Sequence, residues 1–346
     1  MKNKLHIYRS IMLILILLSS KLMAQDFHYS QFYNTQLLQN PALTGKFRED
    51  YRIGVAYRSQ WKQINAPYAT TSFSGEVNFR KGIDKWGLGL VAVNDQIGDG
   101  IYNNQYFMLS TAYHKTLDRL RRNKLSAGLQ VGYVHKNIAD NNLVFSSQIS
   151  NYQATNNASG ESLQNSVGYV NFNAGLFWDF VFSRKADIYV GASAYNLTQP
   201  KESFLVNDPI STPIRSNLFF GLNYNIIPTV TLLPAIQLTQ QKGATDFNIG
   251  GAASYSILDG KLKTGSAIVG LWYRNKDAVI AYGALKYKKY QLGLSYDFTS
   301  SKLNDIKQSP NIGRGTSVGA FEITFIYLGF LNRALPNELT VPCRFF

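Results

Sequence analysis

The sequence predicts an all-β fold: a single antiparallel transmembrane β-barrel of about 14 strands, set in a bacterial outer membrane and preceded by a short N-terminal periplasmic segment. Three observations predict it. The chain opens with an export leader, its composition is rich in aromatics and glycine without a long apolar run, and most of it alternates apolar and polar residues with period two.

The leader is read first because it sets the compartment. Lys2, Lys4 and Arg9 precede "IMLILILL" (Ile11–Leu18), and "SSKLMAQ" follows. A basic start, a short apolar core and a small-residue exit are the layout of a cleaved export signal, with cleavage expected after Ala24 and a large Leu22 at the −3 position. Eight apolar residues fall well short of the ~20 that a spanning helix needs. The divisions that follow are a signal peptide over 1–24, an N-terminal periplasmic segment over 25–50, a barrel over 51–328 and a C-terminal periplasmic tail over 329–346.

Composition narrows the class. Tyr (22), Phe (21) and Gly (27) are abundant, charged residues make up 16% and mean hydropathy is −0.15. The lone Cys343 has no partner for an internal disulfide and belongs to no metal-type cluster. The leader's four basic residues, Lys2, Lys4, Arg9 and Lys21, bring the formal charge from +14 to +10 in the mature chain. A basic balance suits nucleic acid, but export argues for no nucleic acid. Anionic lipid headgroups and lipopolysaccharide phosphates, or a charged lumen, are the expected counterparts.

The alternation is explicit. In "YRIGVAYRS" the set Tyr51, Ile53, Val55, Tyr57 opposes Arg52, Gly54, Ala56, Arg58. "KLSAGLQVGY" and "YQLGLSYDFT" repeat the pattern. Successive strand side chains point to opposite faces, so one continuous apolar face suits lipid and the small, polar face suits a lumen. The aromatics at both ends of the apolar sets favour the membrane over a soluble β-sandwich, because rings gather at the two interfaces. Inward positions assigned by alternation include Arg52, Arg58, Glu76, Gln130, Arg215, Gln291, Asp297 and Glu322. Such mixed charges line a channel or pair across a filled lumen, and alternation does not choose between these.

Candidate strands lie near 51–59, 69–79, 86–94, 103–114, 124–135, 168–182, 187–197, 213–225, 230–240, 245–256, 262–274, 277–288, 290–299 and 317–328. The connections at 60–68, 95–102, 136–167, 198–212 and 300–316 are long and fall at one end. "SRKA", "IIPT", "LDGK" and the Lys289 corner are tight and fall at the other. Long outer loops and short inner turns orient such barrels. Pro234 is expected to break one ladder bond of the ninth strand. No HExxH, GxSxG, Walker-type or paired-cysteine motif is present. His114 and His135 fall at opposite ends of their strands. No enzyme activity and no cofactor or metal are therefore expected.

One segment breaks the rhythm. "QFYNTQLLQNPALTG" (Gln31–Gly45) carries bulky apolar residues but does not alternate. Counted from Tyr29, the residues Phe32, Tyr33 and Leu37 fall at helical spacing, and Asn40 before Pro41 ends a helix near Leu38 or Gln39. The expectation is a short helix at the periplasmic mouth, either docking a partner or plugging the barrel. The candidate partner-binding set is Phe32, Tyr33, Leu37, Leu38, Asn40 and Pro41, with Arg119, Arg121 and Arg122 of the basic turn "TLDRLRRNK".

"HYSQFYNTQLLQNPALTG" followed by "YRIGVAYRSQW" resembles the start of the PorP/SprF family of type IX secretion system membrane proteins from Bacteroidetes. "WGLGLVAVNDQIGDG", "LSAGLQVGYVHKNI", "LVFSSQI", "IYVGASAYNLTQP", "GLWYRNKDAVIAYGA" and "YQLGLSYDFTSSKL" match in order, and Cys343 sits close to a terminal Phe. Glu322 fits the family, although its flank "TSVGAF" departs from the usual Gly-Ser-His-Glu. The resemblance implies an outer-membrane role in type IX secretion and gliding motility, with export or surface attachment of large adhesins through their C-terminal signal domains. It implies periplasmic type IX partners, among them a peptidoglycan-associated lipoprotein, and no catalytic residue. The alternatives are a diffusion channel for small or hydrophobic solutes and a passive anchor.

Overall fold

The computed structural model describes residues 26–62, 67–98, 100–139, 148–150, 153–154, 164–204, 210–259, 262–300 and 319–331. The expected leader, most of the 136–167 and 300–316 connections and nearly all of the C-terminal tail lie outside them.

Fourteen antiparallel strands close into a barrel. They are β1 (Tyr51–Gln60), β2 (Tyr68–Lys81), β3 (Asp84–Ile97), β4 (Tyr102–Thr116), β5 (Asn123–Ile138), β6 (Ser166–Val181) and β7 (Ala186–Tyr195). The second half comprises β8 (Arg215–Ile227), β9 (Val230–Gln241), β10 (Ala244–Asp259), β11 (Leu262–Arg274), β12 (Ala278–Tyr287), β13 (Tyr290–Thr299) and β14 (Gly319–Gly329). Each strand pairs with its sequence neighbours, and β1 closes on β14 with Tyr51 opposite Gly329 and Gln60 opposite Ala320. Closure leaves no edge strand, which is how a sheet satisfies its backbone inside a membrane. Two short ladders, Ile149–Ser150 with Gln153–Ala154 and Lys201–Glu202 with Ile210–Ser211, decorate the long connections.

Burial is inverted relative to a soluble protein. Leu109, Leu129 and Val269 on the outer face are each 65% exposed, whereas Arg52, Gln130 and Glu322 are 4%, 2% and 0% exposed. The apolar set faces lipid and the polar set faces inward, as alternation predicts. Aromatic pairs mark both ends of the outer band. Tyr51 and Tyr290 pack against Tyr327 near the tight turns, with centroids 5.8 and 5.2 Å apart. Tyr296 and Phe298 pack at 4.8 Å near the long loops. Rings at both levels form the girdles of a membrane barrel.

Most of the expected strands extend by one to three residues at an end, because the hydrogen-bond ladder continues into polar residues beyond the apolar run. The ladder between β8 and β9 skips Leu233 and Pro234, as a residue without an N–H requires. The two-residue turn between β9 and β10 places both Lys242 (φ 44°) and Gly243 (φ 83°) at positive φ, which matches the twist of its strands.

Candidate functional site: the filled lumen

Residues 26–47 do not sit at a barrel mouth. They run through the lumen from the long-loop end to the tight-turn end, far deeper than the short helix expected at the periplasmic mouth. At the long-loop end the Asp26 N–H donates to Gln241 Oε1 (2.9 Å), Asn196 Nδ2 donates to Asp26 Oδ2 (3.1 Å), and Arg215 Nη1 donates to the Phe27 carbonyl (3.3 Å). At the tight-turn end Phe47 packs on Ile326 and Leu328, and Asp50 N–H joins Gly329 O (2.9 Å) to lead into β1.

Between these ends the segment is held by a polar lock and two apolar sockets. Glu322 of β14, fully buried, accepts the Ser30 N–H (2.8 Å), the Gln31 N–H (3.0 Å) and Arg58 Nη1 (3.2 Å). Arg58 Nη2 reaches Asp297 (2.9 Å), which also takes Arg274 Nη1 (3.1 Å) and the Ser30 hydroxyl (2.7 Å). The charges that alternation placed inside therefore pair with one another and with plug backbone. A buried carboxylate is tolerated because each charge meets a partner. A second pair repeats the device: Glu76 accepts Arg52 Nη1 (2.8 Å) and the Gly45 N–H (2.9 Å).

Phe32 and Tyr33 fill the first socket, where Tyr33 stacks on Trp272 (centroids 5.1 Å apart) and meets Tyr282 edge-on at 4.9 Å. Leu37, 1% exposed, fills the second among Val91, Val93, Tyr106, Met108 and Val134. The helical spacing resolves into one turn only, α1 (Gln36–Gln39), followed by a 3₁₀ turn at Pro41–Leu43. A four-residue helix is far below the length that is stable alone, so the lumen wall holds it. It stops at Gln39 because Asn40, before Pro41, is extended (φ −161°, ψ 121°).

The Asn40–Pro41 corner is the tightest fit. Asn40 Oδ1 accepts the Ala42 N–H (2.8 Å), and Nδ2 donates to the carbonyls of Leu176 (2.8 Å) and Ala192 (3.2 Å) in the wall. The corner lies on Gly128 and Gly175, directly paired neighbours on β5 and β6. A Cβ on Gly128 would overlap the Pro41 and Ala42 backbone, and one on Gly175 would overlap the Asn40 amide. Below it His114 Nε2 bonds the Thr44 carbonyl (2.8 Å), and Lys46 pairs with Asp179.

His28 lies on the plug, outside the strands. Cavities beside the plug measure about 50 Å³ against β7–β10 and about 10 Å³ against β1, β2 and β14, room for a few waters.

The predicted partner-binding residues separate into two groups. Phe32, Tyr33, Leu37, Asn40 and Pro41 are buried in the lumen and Leu38 is half-buried, so the closed barrel presents none of the five to a partner. Arg119 and Arg122 are exposed and Arg121 is half-buried, on the turn between β4 and β5 at the tight-turn end. Ser30, Gln31, Thr44 and Lys46 were missed as plug contacts. Glycines at inward strand positions were their available signal, since they mark close backbone approach. His114 faces Ser126 and His135 faces Gln105, nine residues further along β4 and so roughly 30 Å away. Among the described residues no cluster of His, Cys, Asp or Glu is arranged to hold a metal.

The family model described as "Type IX secretion system membrane protein PorP/SprF" matches residues 22–327. No curated protein matches the chain in sequence. Among solved structures it is similar to the toluene transporter TbuX of Ralstonia pickettii, with TM-score 0.51 and 11% identity over 86% of this chain and 94% of that one. It is also similar to the toluene transporter TodX of P. putida, with TM-score 0.52 and 9% identity over 87% and 95%. A Pseudomonas aeruginosa FadL homologue gives TM-score 0.50 and 9% identity over 83% and 92%. At these identities the likeness shows a shared barrel fold.

Proposed function

The chain belongs to the PorP/SprF family of type IX secretion system membrane proteins, and from that premise we propose that it acts by docking, supporting export or surface attachment of a secreted adhesin by holding that cargo's C-terminal signal domain. The filled lumen carries this reading. A segment packed through the barrel from one rim to the other leaves no bore for a cargo domain, so binding falls to the rims. Cargo goes to the outer rim, chiefly the 136–167 and 198–212 connections. The periplasmic machinery goes to the 116–124 turn with Arg119, Arg121 and Arg122. Exposed Leu117 (51%) and Leu120 (66%) on that turn are consistent with a contact surface. The direct test is deletion of the gene followed by quantification of adhesin on the cell surface. Loss of surface adhesin, restored by the full chain but not by one lacking 198–212, is expected. Unchanged surface adhesin after deletion refutes the reading.

A diffusion channel for small or hydrophobic solutes is the second reading, favoured by the fold shared with proteins described as toluene transporters. Steady conductance of the intact chain in planar bilayers, with no secretion component co-purifying from native membranes, would select it.

A further inference from the structure

The outer wall carries a concave feature on the face opposite the plug. On the lipid-facing side of β3–β9 lies an apolar groove of about 850 Å³, within the ~300–1,000 Å³ range of sites that bury most of an apolar ligand. Small side chains, Ala127, Ala174, Ala192 and Ala194, form its floor, and Tyr113, Leu129, Leu176 and Leu238 stand around them. Strand pairing makes the feature continuous, because Trp86, Tyr113, Ala127, Leu176 and Ala192 lie in one row across β3–β7.

The groove's Trp86–Tyr113 end abuts the tight-turn rim. There residues 80–85, 115–124 and 179–187 carry ten Lys or Arg against four Asp. All four acids are engaged. Asp84 takes Lys115 and Tyr113, Asp118 accepts the Asn123 N–H, Asp179 pairs with Lys46, and Asp187 accepts from Asn223. Lys115 follows Tyr113 on the same outer face with its side chain 51% exposed. Arg122 and Arg184 are exposed, and their turns are tied by the Val181 N–H to the Arg122 carbonyl (2.8 Å). An acyl-sized trough thus ends at a cationic edge at the level where headgroups lie.

We propose that this sector is a binding site for an anionic phospholipid of the inner leaflet, with its acyl chains in the groove and its phosphate against Lys115, Arg122 and Arg184. The two halves together select the ligand. An acidic protein meets the cations but not a trough that opens into hydrocarbon, and a zwitterionic lipid fills the trough without matching the net charge. Basic residues beside a membrane surface hold anionic headgroups in this way. The site shares Arg122 with the turn that the secretion reading gives to the periplasmic machinery, but it is measured on purified protein without cargo or machinery, so the failure of one is distinguishable from the failure of the other.

The test uses the full mature chain in nanodiscs of phosphatidylcholine with a minor share of phosphatidylglycerol, with lipid retained after detergent extraction read by native mass spectrometry. Wild type is expected to keep phosphatidylglycerol over phosphatidylcholine. Lys115→Ser/Arg122→Ser/Arg184→Ser should weaken that preference roughly a hundredfold, at about one tenfold step per 1.4 kcal/mol and ~1 kcal/mol per cation. Ala174→Phe/Ala194→Phe fills the groove and should abolish retention of both lipids. The heat-induced electrophoretic shift of a closed barrel, read on each variant, certifies the fold. Equal retention of both lipids by wild type overturns the proposal. So does phosphatidylglycerol binding that survives the groove-filling pair, which would reveal a bare cationic surface for any polyanion.

Discussion

Glu322→Ala removes the acceptor on which the plug's backbone hangs. Its carboxylate receives the Ser30 and Gln31 N–H groups and Arg58, at 2.8, 3.0 and 3.2 Å, with no solvent exposure. Hydrogen bonds to a charged group contribute about 1.5–3 kcal/mol each, and deleting one member of a buried ion pair costs about 3–5 kcal/mol. Arg58 keeps Asp297 at 2.9 Å, so the lower end, about 3 kcal/mol, applies. At 1.4 kcal/mol per tenfold, plug opening rises roughly a hundredfold. Hydrogen exchange of a peptide spanning 26–36 reads this directly, because the two orphaned amides exchange only when the plug lets go. Exchange there should accelerate by that factor while strand amides stay protected. Unchanged exchange over 26–36 in an intact barrel would refute the lock. Glu322→Gln, which keeps one acceptor oxygen, should fall between.

Two further outcomes follow from the same geometry. Gly128→Val sets side-chain atoms where the Pro41–Ala42 backbone lies, so residues 26–47 should become cleavable by added protease in a barrel that still shows its heat-induced electrophoretic shift. Leu37→Ala empties a socket and should weaken plug protection by about 2–5 kcal/mol in the exchange assay, without conductance at rest.

The barrel was legible because its constraints are local. A strand in lipid must alternate, and Ile53 and Val55 on one face of "YRIGVAYRS" against Arg52 and Arg58 on the other are enough to orient it. The long connections sort to one end for the same reason, since each strand reverses direction. The plug was legible only in part. Phe32, Tyr33 and Leu37 marked a buried segment, and Asn40-Pro41 marked where its helix stops. Its length and its path were not marked. Helical spacing from Tyr29 pointed to a longer helix, whereas wall contacts leave one turn at Gln36–Gln39. The charges were correctly placed inside, but alternation is blind to what stands opposite them.

By itself, then, the sequence determined a membrane barrel of about fourteen strands, the face each strand turns to lipid and the set of buried charges. Those follow from a period of two, read within each segment. Tertiary structure alone decided that the lumen is filled, because the seat for Asn40 and Pro41 exists only once Gly128 and Gly175 come side by side. It also decided the fate of Glu322, whose partners Ser30 and Gln31 lie 292 and 291 residues away along the chain. Pairing over such separations depends on barrel closure, which brings β14 against β1 around the segment that precedes it.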